Sequence, residues 1–154
     1  MKCELMLIGK TRSRELAELM ADYTDRVGHY MPFSVTTLNV NCGNCGIEDQ
    51  KALEAQALMK RIKVGDYIVL LDERGIERSS VFFAEWLRKK RLQCTQRLVF
   101  IIGGPYGFAN EMYERADESV SLSQMTFSHQ MVRVIFTEQL YRACTILKGE
   151  KYHH

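Results

Sequence analysis

No stretch of this sequence stays apolar long enough to cross a bilayer. Runs such as Val99–Ile102 and Val134–Phe136 fall far short of the roughly 18 residues a span needs. The first residues, Met1-Lys2-Cys3-Glu4, lead into a short strand-like run. They lack the longer apolar stretch and small-residue cleavage site of a signal peptide, so a cytoplasmic location is expected. An excess of one charge is also missing, since 21 basic and 19 acidic residues leave a formal charge of +2. That total is too small to mark a nucleic-acid binder and excludes none, because local clusters govern binding. The cysteines, Cys3, Cys42, Cys45, Cys94 and Cys144, are odd in number, which weighs against a disulfide framework in a cytosolic chain. Internal repeats, low-complexity stretches and linkers are absent.

What is present is an ordinary globular composition, 46% hydrophobic and 26% charged. Its 154 residues suit one domain, 1–154, with a real core. Strand and helix signals alternate, which predicts an α/β fold with a mainly parallel sheet flanked by helices. Strands are expected at Glu4–Ile8, Phe33–Val40, Tyr67–Leu71, Leu98–Ile102 and Ser119–Leu122. Helices are expected from a Ser13 N-cap to about Val27, from Ile47 to about Ile62, after a Ser79 cap, over about Asn110–Ala116, and from His129 to about Leu147. Asp72–Gly75 reads as a loop at a strand's C-terminal end. The last helix carries Val132, Val134, Ile135, Phe136, Leu140, Tyr141, Ala143, Cys144, Ile146 and Leu147 round most of its circumference. Such a helix must be buried on more than one side, and a second subunit is one way to do so.

Four constellations bear on chemistry. Phe100-Ile101-Ile102-Gly103-Gly104-Pro105-Tyr106-Gly107 ends a strand in glycines, beyond which ligands sit in open parallel sheets. It is neither a Walker loop nor a dinucleotide fingerprint, and a tight strand-to-helix turn would account for it equally well. Ser121–Arg133 runs from a strand end through a polar loop into the apolar helix. Its backbone could line a pocket walled by Leu122, Met125 and Phe127, or could simply connect two elements with Ser128 as N-cap. Arg133, Glu138 and Arg142 are charges on that apolar helix. Glu138 and Arg142 have the spacing of a surface ion pair, and the arginines are alternatively phosphate ligands. The tail, Lys148 to His154, is either a frayed end or part of a site. Asn41–Gly46 contains a Cys-x-x-Cys with no second pair to complete a zinc site, and Gly43 and Gly46 spoil a redox geometry, so no metal is expected. The basic run Arg88–Arg91 reads as a solvated helix end, with an RNA contact as the alternative.

Taken together, these segments resemble the SPOUT methyltransferases, and more closely the ribosomal RNA large subunit methyltransferase H family. The resemblance is carried by Ile68–Asp72, Ile101–Gly107, Ser121-Leu122-Ser123, Thr126, His129, Val132-Arg133-Val134, Glu138–Ala143 and Tyr152-His153. It spans essentially the whole chain, and the order and spacing of the pieces make it specific. The sequence departs from the family pattern in the Cys42/Cys45 loop and at Gln124-Met125.

The resemblance implies a C-terminal trefoil knot, with knot and cofactor site within about residues 66–154, and a homodimer. It implies S-adenosylmethionine held by Leu71, Gly103, Gly104, Leu122, Ser123, Gln124, Met125, Thr126 and Phe127. It implies methylation at N3 of a pseudouridine in 23S rRNA, with the assembled ribosome as substrate. An activated methyl needs no metal, so the task is mainly alignment plus removal of the N3 proton. His129, His153 and Glu138 are candidate bases. Arg133 and Arg142 would hold phosphate or stabilise an anion, and Tyr152 would orient the base. The alternatives are a SPOUT enzyme acting on tRNA, a non-enzymatic ribosome-associated binding factor, and a flavodoxin-like nucleotide-binding module.

Overall fold

The computed structural model describes residues 1–93 and 96–154; Cys94 lies outside them. Its elements are β1 (Lys2–Ile8), α1 (Arg14–Gly28), β2 (Phe33–Leu38), α2 (Ile47–Arg61), β3 (Tyr67–Glu77), α3 (Ser80–Gln93), β4 (Arg97–Ile102), α4 (Asn110–Arg115), β5 (Glu118–Ser121) and α5 (Met131–Lys148). The strands form one parallel sheet in the order β2-β1-β4-β3-β5. Strands β1 and β4 lie inside it and are apolar almost throughout, because helices cover both their faces. No helix among the described residues is long and apolar enough to cross a membrane.

Side chains alternate across a strand, and the sheet accordingly has two cores. Leu5, Leu7, Val69, Leu98 and Phe100 point to one side, where they meet Met20 and Val27 of α1, Phe83 and Leu87 of α3, and Phe136 and Leu140 of α5. Met6, Ile68, Leu70, Val99 and Ile101 point to the other, against Ala55 and Leu58 of α2 and Met112 of α4. Ser13 caps α1 as its sequence position predicts, its Oγ accepting from the Leu16 N–H at 3.3 Å. Ser79 does the same for α3, accepting from the Phe82 N–H at 3.2 Å.

Helix α5 packs on the sheet between α1 and α3. Val134, Phe136, Leu140, Ala143 and Cys144 are buried within the one chain. Most of its apolar circumference is therefore used inside the chain, and that circumference by itself does not require a second subunit. The helix begins at Met131, two residues later than the apolar pattern indicates. Ser128 Oγ accepts from the Met131 N–H at 3.1 Å, and Gln130 is engaged elsewhere: its Oε1 accepts from the Arg12 N–H at 2.7 Å and its Nε2 donates to the Lys10 carbonyl at 3.2 Å. Gly149 ends the helix in the left-handed region, at φ 70°, which turns the tail back along α5.

Two further differences from the sequence reading have local causes. Asp72–Gly75 does leave the ladder, but the chain then rejoins β5. Leu71 and Ile76 both face Val120, so the four residues between them bulge out of a longer strand. Asp72 holds the bulge by accepting from the Arg74 N–H at 2.8 Å. Against the expectation from the odd cysteine count, Cys42 and Cys45 are joined in a disulfide, their Cα atoms 5.6 Å apart. It closes a short loop before α2 and takes no part in either core.

The N-terminal edge of the sheet is tied by charge. Arg97 at the start of β4 donates to Asp66 and, at 2.5 Å, to Glu4 of β1. Glu4 also accepts from Thr36 Oγ1 of β2 at 2.7 Å. This network leaves the opposite edge, at the strands' C-terminal ends, free for a site.

Candidate cofactor and substrate site

A cavity of about 800 Å³ opens beyond the C-terminal ends of β3, β4 and β5. Leu71 and Ile102 are paired neighbours in the sheet, so β3 and β4 end level and together form its floor. The Gly103–Phe108 turn borders one side, the segment from Leu122 to His129 another, and the Asp72–Arg74 bulge a third. Of the residues expected to hold a cofactor, Leu71, Gly103, Gly104, Leu122, Ser123, Met125, Thr126 and Phe127 line this space; Gln124 does not. The 122–127 loop keeps its shape through its own serines. Ser121 Oγ donates to the Ser123 carbonyl at 2.9 Å, and Ser123 Oγ accepts from the Met125 N–H at 3.0 Å.

The reason for glycine at 103 and 104 is not simply ligand approach. A Cβ on Gly103 would meet the Phe108 ring, its nearest atom 3.1 Å away. A Cβ on Gly104 would land on the Glu54 carboxylate of α2, with Cδ and Oε2 both 3.0 Å away. The missing side chains leave room for neighbours packed behind the turn, while its backbone faces the cavity.

Several lining residues carry no sequence motif of their own. Asp72, Glu73 and Arg74 come from the bulge, Tyr113 from α4 and Lys51 from α2. The position of Asp72 at a strand's C-terminal end was a usable signal; Tyr113 and Lys51 had none. Tyr113 donates its hydroxyl proton to Asp72 and accepts from Arg74. Burial works against charge on Asp72, but the Tyr113 hydroxyl, the Arg74 N–H and the Arg74 cation outweigh it and hold the carboxyl below its ordinary range. Thr126 Oγ1 donates to Glu73 Oε2 at 2.8 Å, which joins the bulge to the 122–127 loop across the cavity mouth.

The residues expected to be catalytic fall into three places. His129 lines the cavity. Burial, then the cations of Arg133 and Arg12, push its pKa below the ordinary histidine value, which favours the neutral imidazole. Arg133 does not border the cavity. It is fully buried, and its guanidinium donates to the carbonyls of His129 (3.1 Å), Gly9 (2.9 Å) and Ile8 (2.7 Å) and to Thr11 Oγ1 (3.0 Å). Arg133 thus satisfies the carbonyl ends left open after β1 and pins that loop to α5, with its guanidinium engaged inside the chain rather than offered to a phosphate.

Glu138, Arg142, Tyr152 and His153 make the third group, and none of them borders the cavity. Arg142 donates to Glu138 Oε1 from Nε at 3.1 Å and from Nη2 at 2.6 Å, the ion pair their spacing predicts. The tail is folded onto this pair rather than frayed. Tyr152 donates to Glu138 Oε1 at 2.9 Å, and Arg142 Nη1 lies 3.3 Å from His153 Nδ1. A guanidinium has no acceptor, so His153 Nδ1 is the acceptor in that contact. Val132, at the cavity, and Arg142 are ten residues apart on α5, about 15 Å along its axis. The basic run at the end of α3 is partly inward: Lys90 donates to the Tyr67 hydroxyl at 2.7 Å, and Arg88 pairs with Glu85 on its own helix.

A parallel sheet with a glycine-edged cavity at its C-terminal end is the arrangement of a small-molecule-binding α/β protein. The family described as "Predicted SPOUT methyltransferase" matches residues 1–153, and the chain belongs to it. Curated relatives that match it carry the name Ribosomal RNA large subunit methyltransferase H. The protein of that name from Parabacteroides distasonis is 47% identical over all of this chain and 99% of its own length. Those from Bacteroides fragilis and Cytophaga hutchinsonii are 46% and 45% identical, each over all of this chain and over 99% and 100% of their own lengths. Among solved structures, a probable methylase family protein from Haemophilus influenzae matches with a TM-score of 0.54 at 14% identity. It covers 99% of this chain and 70% of that one, a likeness of fold alone.

Proposed function

We propose that this protein transfers the methyl group of S-adenosylmethionine to N3 of a pseudouridine in 23S ribosomal RNA, acting as a homodimer on the assembled ribosome in the cytoplasm. The observation that carries the reading is the cavity of about 800 Å³ between the Gly103–Gly104 turn and the Leu122–Phe127 loop. Its walls fit the cofactor: apolar Leu71, Ile102, Leu122 and Val132 suit a flat ring, and the acidic Asp72 and Glu73 suit a cationic group. When bound, S-adenosylmethionine supplies an activated methyl on its sulfonium. The names of the full-length relatives support large-subunit rRNA as the substrate. Membership of the SPOUT family supports a trefoil knot in the part of the chain after about residue 66.

The chain's own work is positioning and proton handling. The turn and loop hold the cofactor through their backbone. His129 Nδ1 or Nε2, neutral and facing the cavity, takes the proton that leaves N3. Glu138 and Arg142 lie about 9 and 15 Å along α5 from Val132 at the cavity, and their group with Tyr152 and His153 does not border the cavity of its own chain. A second copy that brought its tail to this cavity would complete the site. Exposed apolar residues on α3, with Phe82 71% and Val81 51% exposed, leave a surface for such a copy.

The test is methyl transfer from labelled S-adenosylmethionine to ribosomes of a deletion strain, with the modified nucleotide located by mass spectrometry. One methyl group on one pseudouridine of 23S rRNA is expected, with free rRNA a poor substrate. Methylation of tRNA instead would move the chain to the SPOUT enzymes that act there. Absence of cofactor binding by calorimetry would leave a non-enzymatic ribosome-associated factor.

A further inference from the structure

Behind the Gly103–Gly104 turn, on the side away from the cavity, lies a carboxyl that the function above does not use. Glu54 of α2 is only 4% exposed, and its Oε1 receives a hydrogen bond from Gln50 Nε2 at 3.0 Å. Lys51, its neighbour on α2, pairs with Glu48 at 3.5 Å instead. The gap around Glu54, bordered by Gly103, Gly107 and Phe108, has no room for a water molecule. Burial raises the pKa of this carboxyl, and the Gln50 hydrogen bond offsets part of that rise.

A polar group in a dry gap is costly, and an apolar side chain would fill the space with less penalty. The group nonetheless stands where a Cβ on Gly104, alone among the glycines, would strike it. The two residues therefore determine each other: glycine is required at 104 because Glu54 is there, and Glu54 limits how far the turn can move back from the cavity. We propose that Glu54 is a positioning residue for cofactor binding, holding the Gly103–Gly104 backbone forward at the cavity edge. This rests on the cofactor reading given above.

The test is a double-mutant cycle on the full-length protein, with S-adenosylmethionine affinity by calorimetry and thermal unfolding measured on each variant. Glu54→Ala should weaken cofactor binding about tenfold, the scale of coupling between residues in contact, with kcat at saturating cofactor unchanged. Glu54→Gln keeps the shape and the Gln50 contact, and should bind within about threefold of the wild type. Gly104→Ala should lose at least about tenfold, and Glu54→Ala in the same chain should recover most of that loss by removing the collision. Gly103→Ala, whose methyl would meet Phe108 instead, should not be relieved by Glu54→Ala.

Unchanged affinity in a folded Glu54→Ala protein, or additive effects in the Glu54/Gly104 pair, would overturn the proposal. So would a Glu54→Gln protein as impaired as Glu54→Ala. If the wild type itself bound no S-adenosylmethionine, the functional reading would fall. The Glu54–Gly104 coupling would still be read from thermal unfolding, where additivity would show that the contact is not formed.

Discussion

The Tyr152 hydroxyl donates to Glu138 Oε1 at 2.9 Å and so ties the last residues of the chain to the middle of α5. The ring of Tyr152 packs edge-on against Tyr141, their centroids 4.7 Å apart, and its hydroxyl is 3.4 Å from that of Tyr23 on α1. Burial, and then the Tyr23 and Glu138 contacts, push its pKa up, so the hydroxyl keeps its proton and remains a donor. A free end would show none of this.

Removing residues 152–154 should therefore have a measurable but small structural effect, about 1 kcal/mol for the lost aromatic packing. The protein should still fold and bind cofactor. Turnover on ribosomes should fall about a hundredfold, the scale of a lost acid–base or orienting group. Single-turnover methylation beside urea unfolding of the truncated chain separates the two effects. Full turnover would reduce the tail to a packing element.

Arg133 is expected to matter for stability rather than for RNA affinity. Arg133→Gln cannot reach the carbonyls of Ile8 and Gly9 together, and should cost about 3 kcal/mol because buried acceptors lose their donors. Chemical denaturation gives the value. A loss below about 1 kcal/mol, together with weaker ribosome binding, would restore the phosphate role.

His129 makes a prediction about pH. Its pKa is depressed, so the proton-accepting form persists to lower pH than in a free histidine. If it takes the N3 proton, the rate should be level through neutral pH and decline only on the acid side, below the ordinary histidine range. His129→Asn should remove that decline and lower the rate about a hundredfold. An acid limb that is unchanged in the variant would assign the base to another group.

Asp66 governs a different pH effect. Burial opposes its charge, but the Arg97 hydrogen bonds, the Lys63 N–H and the cations of Arg97 and Arg115 hold its folded pKa below the ordinary value. Its contribution to stability is thus complete above the ordinary aspartate range and is lost as pH falls through the lower folded value. Asp66→Asn should destabilise the protein at neutral pH by about 2 kcal/mol, less than a fully broken buried pair because Arg97 keeps Glu4. It should also flatten the acid side of the stability–pH curve. Equal acid slopes in the two proteins would show that Asp66 is not responsible.

Periodicity and turn chemistry in the sequence were enough to determine the alternation of strands and helices, the Ser13 and Ser79 caps, and the glycine turn after Ile102. These depend on contacts within a few residues, which local sequence encodes. Tertiary structure alone decided what lies across from each element. Sequence leaves Arg133 open between an ion pair and a phosphate contact, and only the fold brings to it the carbonyls of Ile8 and Gly9, more than 120 positions away in sequence. Gly104 reads in the sequence as room for a ligand, and Glu54 behind it supplies a second reason for the glycine that only the fold reveals. Tyr113 and Lys51 joined the cavity lining only through the way α4 and α2 pack on the sheet. In each case the partner is set by the strand order β2-β1-β4-β3-β5, a long-range choice that no local pattern records.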